Sequence, residues 1–196
     1  MNEMLTKWTE NCIVVDADYV DRVAFNLTVN FERMLERRIK EADLGKWLEC
    51  LALDGGLRPG EHQTTVVLIH EKGRKGLKYF APSAYNDLNG KAFRGPLGEF
   101  AIHAVPVEEI TTKDDMVAGI AEFLMQQQGV KRLLVVPDAE EGSVVQRLRQ
   151  TARQAPDGLQ LTLFAMSPLS GGNFRSEILG YSLLHALGIK GEEIGT

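Results

Sequence analysis

Two short apolar runs, each closed by an acid, constrain this chain more than any other feature. Cys12-Ile13-Val14-Val15 ends at Asp16, and Leu133-Leu134-Val135-Val136 ends at Pro137-Asp138. Short runs that are apolar at every position predict strands covered on both faces rather than strands with one wet side. Such strands belong in parallel sheets, because parallel neighbours are joined by helical crossovers, and those helices cover the faces.

The rest of the chain agrees with that reading. Thr64 to Ile69, Phe100 to Val107 and Leu159 to Met166 supply three more strands, with the fourth spanning Lys131 to Pro137. Between the strands the apolar period lengthens to three and four residues. Val20, Val23, Ala24, Leu27, Phe31, Met34 and Leu35 mark a long helix, for which Asp18 is a plausible N-cap. Leu44, Trp47, Leu48 and Leu51 follow a cap at Asp43, and Asp54-Gly55-Gly56 stops them. Thr112 with Asp115 opens a third helix through Met116, Val117, Ile120, Ala121 and Leu124. Val144, Val145 and Leu148 give a fourth, and Ile178, Leu179, Leu183, Leu184 and Leu187 a last one after Gly171-Gly172. The expectation is an α/β, three-layer, Rossmann-like fold with a mainly parallel five-stranded sheet of order 3-2-1-4-5. It forms one domain over residues 1–196, with an irregular insert at about 71–99 that holds many Gly, Pro and aromatic residues.

Composition narrows the function classes. At 196 residues, 44% apolar and 25% charged, the chain is long enough for one ordinary core. Twenty-two Lys and Arg against 27 Asp and Glu leave a net charge of -5, which gives no overall basic footprint for nucleic acid. Cys12 and Cys50 lack the spacing of a disulfide framework and read as reduced, buried thiols. Met1 to Glu10 carries Asn2, Glu3, Thr6, Lys7 and Glu10, a pattern of neither signal peptide nor anchor, and no run approaches the roughly 18 apolar residues of a membrane span. A cytoplasmic protein is expected.

In the order 3-2-1-4-5 the first and fourth strands are neighbours, and Asp16 and Asp138 flank the crevice where sheets of this type bind ligands. Asp18, Asp21, Glu140 and Glu141 lie close by in sequence. Carboxylates in that arrangement suit a hard cation, magnesium or manganese, which would bind phosphate and activate water. The same residues have ordinary duties too. Helix capping and the helix dipole explain Asp18, Asp21, Glu140 and Glu141 better than ligation does, whereas the two readings stand level for Asp16 and Asp138. Two carboxylates in one crevice need a cation, a proton, or an internal counter-charge such as Arg22 or Lys131.

Val14-Val15-Asp16-Ala17-Asp18 before a helix, with Val135-Val136-Pro137-Asp138-Ala139-Glu140, resembles the acidic skeleton of PIN-like and NYN-like nuclease folds over residues 12–150. That resemblance implies Asp16 as first metal ligand, Asp138 as the acid after the fourth strand, and metal-dependent cleavage of RNA or DNA. Glu49 and Asp54 are both candidates for the family's middle acid. Pro137 stands where a small residue is usual, and the 71–99 insert is foreign to a minimal domain of this kind. The chain, above all Asn11 to Leu35 and Ser170 to Ile189, also resembles an uncharacterised bacterial family found in gut commensals, a likeness that implies no activity. Two functions are therefore carried forward: a metal-dependent nuclease or phosphodiesterase, and a non-enzymatic binding or regulatory module on the same scaffold.

Three weaker features complete the reading. Ser170 to Ser176 opens the last helix with a glycine turn, where Gly171, Gly172 and Arg175 suit an anion, although the Gly-Lys-Ser/Thr ending of a P-loop is missing. Lys72, Arg74, Lys75 and Lys78, near Tyr79, Phe80 and Tyr85, suit either a nucleic-acid strand or a solvated hairpin loop. His62, His70, His103 and His185 lack metal-ligand spacing, and His103 and His185 sit in apolar patterns expected of core histidines.

Overall fold

Both acid-terminated runs become inner strands in the computed structural model, which describes residues 8–140 and 143–195. The elements in chain order are β1 (Asn11–Asp16), α1 (Ala17–Leu35), β2 (Ala42–Asp43), α2 (Leu44–Asp54), β3 (His62–His70), β4 (Phe80–Ala81), α3 (Tyr85–Leu88), β5 (Ala92–Gly95), β6 (Gly98–Pro106), α4 (Lys113–Met125), β7 (Arg132–Val136), α5 (Val144–Ala152), β8 (Gln160–Ala165), β9 (Arg175–Ile178) and α6 (Leu179–Ala186). The main sheet runs β5-β6-β3-β1-β7-β8-β9, so its inner five strands have the expected order 3-2-1-4-5. Among the described residues this sheet has seven strands, where five were expected. The additions are β5, the antiparallel partner of β6, and β9, parallel to β8 at the opposite edge. Each is four residues long and half wet, which leaves no continuous apolar run to read.

Alternation along the strands sorts side chains into two cores. Ile13 and Val15 of β1 pack with Val20, Leu48 and Leu183 under α1, α2 and α6, while Cys12 and Val14 pack with Val117, Leu124 and Leu148 under α4 and α5. These are the outer layers of a helix-sheet-helix stack. The central register pairs Val15 with Leu68 on one side and Val136 on the other.

Several local readings change. Asp16, the last residue of β1, is itself the N-cap of α1: its carboxylate accepts from the Tyr19 N–H, and Asp18 falls inside the first turn. Asp43 and Thr112 cap α2 and α4 as expected. The 71–99 segment contains β4, α3 and β5 rather than irregular chain alone. The glycine turn at Gly171-Gly172 feeds β9, not a helix, so no helix N–H groups converge there; Arg175 lies on that strand and pairs with Glu177 at 3.0 Å. His103 and His185 are exposed, because one face of β6 beyond the core and the outer side of α6 are wet, and His70 is the buried histidine. Cys12 is buried, its thiol pushed up to about 12 chiefly by burial, but Cys50 is only half-buried; both are free. Among the described residues no helix is long and apolar enough to cross a membrane.

Candidate functional site

The ends of β1, β3 and β7, the start of α4 and the first turns of α1 meet above the carboxyl edge of the sheet. Asp16 is fully buried there. Its Oδ1 accepts from the Tyr19 amide at 3.0 Å and lies 3.4 Å from the Lys113 ammonium, while its Oδ2 is buried with no hydrogen-bond partner among the described residues. Burial raises the Asp16 carboxyl to about 6, against the opposing pull of Lys113. Lys113 also stands 3.2 Å from Asp18 Oδ2 and 3.8 Å from Glu71 Oε1. Burial disfavours the Lys113 charge, yet Asp16 and Asp18 more than offset it, and its pKa is raised.

The other acids are engaged in holding the backbone. Asp18 Oδ2 accepts the Glu71 N–H at 2.7 Å. Asp21 accepts the Lys78 N–H with both oxygens at 3.0 Å and the Tyr79 N–H at 2.8 Å. Two carboxylates of α1 thereby fix the start of the insert on top of the helix. Asp138 accepts from Arg22 at 3.0 Å and, through its other oxygen, from the Glu140 N–H at 3.2 Å. Burial, then the carboxylates of Glu140 and Asp138, push the adjacent Tyr19 hydroxyl up.

Asp16 and Asp18 are thus brought to one cation, Lys113, while Arg74 Nε also stands 3.8 Å from Asp18 Oδ1, and Asp138 is brought to Arg22. Glu140 is exposed beside Asp138, and Glu141 lies outside the described residues. Glu49 and Asp54 lie on α2; both carboxyls are raised by burial first, and their charged neighbours are Asp43 for Glu49, and Glu177 and His185 for Asp54, not Asp16 or Asp138. Among the described residues no group of three or more His, Cys, Asp or Glu is disposed to hold a metal ion.

A cleft of about 340 Å3 opens next to this cluster. From α1 it takes Asp18, Asp21, Arg22 and Phe25; from the insert, Glu71, Arg74, Lys78 and Tyr79; from α4, Lys113. The α1 residues fall at i, i+3, i+4 and i+7, the spacing of one helix face. Arg74 also borders a second groove with Lys72 and Lys75, floored by the His70 and Tyr85 rings stacked 3.8 Å apart at 10°.

Lys113 escaped the sequence reading, although it carries a signal. A lysine at the first helical position opposes the helix dipole, which favours acids there. Asp114 and Asp115 follow that preference; Lys113 does not, because Asp16 and Asp18 stand beside its ammonium.

No curated protein and no solved structure shows significant similarity to the chain. One family model does match, over residues 5–194, and so nearly the whole length. On that match the chain belongs to a family of unknown function, DUF6621.

Proposed function

We propose that the protein is a non-enzymatic binding or regulatory module whose strand-end cleft takes a phosphate-bearing ligand. The observation that carries the reading is the position of Lys113. Its ammonium, 3.4 Å from Asp16 and 3.2 Å from Asp18, is a resident cation at the place that the nuclease reading assigns to a metal. Arg22, Arg74 and Lys78 join Lys113 around the cleft, while Asp18 and Asp21 are occupied by backbone N–H groups. A phosphate there meets guanidinium and ammonium donors suited to charge-assisted hydrogen bonds. The test is calorimetric titration of inorganic phosphate into wild type, Arg74→Ala and Lys78→Ala, both exposed positions. Saturable heat in the wild type that weakens at least fivefold in each variant is expected. Equal heats in all three proteins would sink the reading.

A second reading keeps the metal-dependent nuclease or phosphodiesterase. The observation in its favour is the buried Oδ2 of Asp16, which has no hydrogen-bond partner among the described residues. With Lys113 drawn aside, Asp16 and Asp18 would hold magnesium or manganese, with Asp138 and Glu140 reached through water. Such an ion would supply a polarised phosphate and an activated water. Manganese titration into wild type and Asp16→Asn, followed by a single-stranded RNA cleavage assay, tests it. Metal heat lost in the variant together with cleavage by the wild type favours the nuclease; no metal heat in either protein counts against it.

A further inference from the structure

The cleft has one wall that phosphate alone does not explain. On α1 the i, i+3, i+4, i+7 face of Asp18, Asp21, Arg22 and Phe25 looks into the cleft instead of into the core. Phe25 leaves 41% of its surface exposed, next to the exposed Val29 one turn on and Arg22 one turn back. Its ring lies against Tyr79, centroids 5.2 Å apart and planes tilted by 43°. Tyr79 is held in place, since Asp21 binds its own N–H and that of Lys78. The aromatic pair is therefore preorganised, and a ligand that uses it spends little on ordering.

We infer that the ligand of this cleft is a single nucleotide, its base packed on Phe25 and Tyr79 and its phosphate met by Arg74, Lys78 and Lys113. The inference rests on the phosphate-binding reading above and narrows it. Three observations point the same way. The aromatic pair and the cations line the same cleft, as a ligand joining a flat ring to an anion requires. Glu71, half exposed at the same rim, offers a carboxylate acceptor to a sugar hydroxyl. The volume, about 340 Å3, lies at the small end of the range for small-molecule sites and suits one nucleotide. Stacking of a base on an aromatic side chain strengthens binding by a factor of roughly five to over a hundred, whichever base is presented.

The experiment titrates the full chain with inorganic phosphate, ribose 5-phosphate, the four ribonucleoside monophosphates, and a single-stranded RNA of about ten nucleotides. At least one monophosphate nucleotide should bind about tenfold or more tightly than ribose 5-phosphate. Phe25→Leu should erase that advantage while leaving ribose 5-phosphate affinity unchanged, and Phe25→Trp should restore it. If phosphate and ribose 5-phosphate bind but no nucleotide binds better, or Phe25→Leu leaves the gap intact, the nucleotide inference is overturned and the phosphate reading stands. If none of them binds, the phosphate reading falls with it. An oligonucleotide that binds more than tenfold tighter than every mononucleotide also overturns the single-nucleotide occupant.

Discussion

Replacing Asp16 by Asn should make the protein more stable at neutral pH and remove a step from its stability profile in mild acid. The carboxyl is fully buried, and burial lifts it from the ordinary 3.8 to about 6 even though Lys113 pulls the other way. Between those two values the folded chain holds a proton on Asp16 that the unfolded chain has released. Stability then falls as pH rises, because the unfolded state binds fewer protons than the native state. The contribution is fully present below about 3.8, is lost as pH climbs through about 6, and stays lost at pH 7. A difference of that size corresponds to about 3 kcal/mol.

Asn keeps the N-cap, since its side-chain oxygen can still accept the Tyr19 N–H, but it has no charge to bury. Urea unfolding of both proteins at half-unit intervals from pH 4 to pH 7 isolates the effect, because carboxylates that do not share Lys113 cancel in the comparison. The variant should match the wild type near pH 4 and exceed it by about 3 kcal/mol at pH 7. Parallel profiles across the window, or a wild type that gains on the variant as pH rises, would refute the account of Asp16 as a buried carboxyl held by a lysine it only partly satisfies.

Two further outcomes follow from packing and from the insert. A side chain added at Gly55 would collide with both terminal methyls of Leu134, so Gly55→Ala should cost about 1–3 kcal/mol and Leu134→Ala about 2–4 kcal/mol, with the double variant costing clearly less than both together; additive losses in thermal or urea unfolding would refute the contact. Asp21→Ala leaves the Lys78 and Tyr79 amides without their acceptor, so their hydrogen exchange should accelerate while β1 amides keep their protection, at a cost of about 1–2 kcal/mol. Unchanged exchange at both amides would show that the insert start is held by something other than α1.

The sequence made the inner sheet readable for one reason: burial on both faces writes itself as an uninterrupted apolar run, as at Val14 and Val135. The edges have no such mark. In β9, Arg175 and Glu177 alternate with half-buried neighbours, and Ile178 runs straight into the apolar spacing of α6, so strand and helix read as one helix. The site divides in the same way. Asp16 and Asp138 were visible because each abuts a strand, and Arg22, the partner of Asp138, was among the expected counter-charges, but Lys113 was not, since it meets Asp16 across a large distance in the chain. Asp18 and Asp21 look like dipole residues of α1 in the sequence. Their work is on the insert, and nothing in α1 says which backbone amides they will take.

An acidic chain with four cations around one cleft is no contradiction, because the net charge of -5 and the local donors act over different distances. At physiological salt the field of an exposed charge fades within about 8 Å, so most of the acids do not reach the cleft. What a bound phosphate meets is Arg22, Arg74, Lys78 and Lys113, with Asp18, Asp21 and Glu71 in the same lining and Asp16 and Asp138 beside Lys113 and Arg22, while Asp21 is held by two N–H groups, of Lys78 and Tyr79. An extended strand samples far more surface than that, and its affinity depends on many phosphates finding cations along a stripe. Around Arg74 the two grooves meet, and with them Lys72, Lys75 and Lys78. The occupant these donors suit is a compact anion that reaches them by charge-assisted hydrogen bonds within the cleft, where no basic surface beyond it is required.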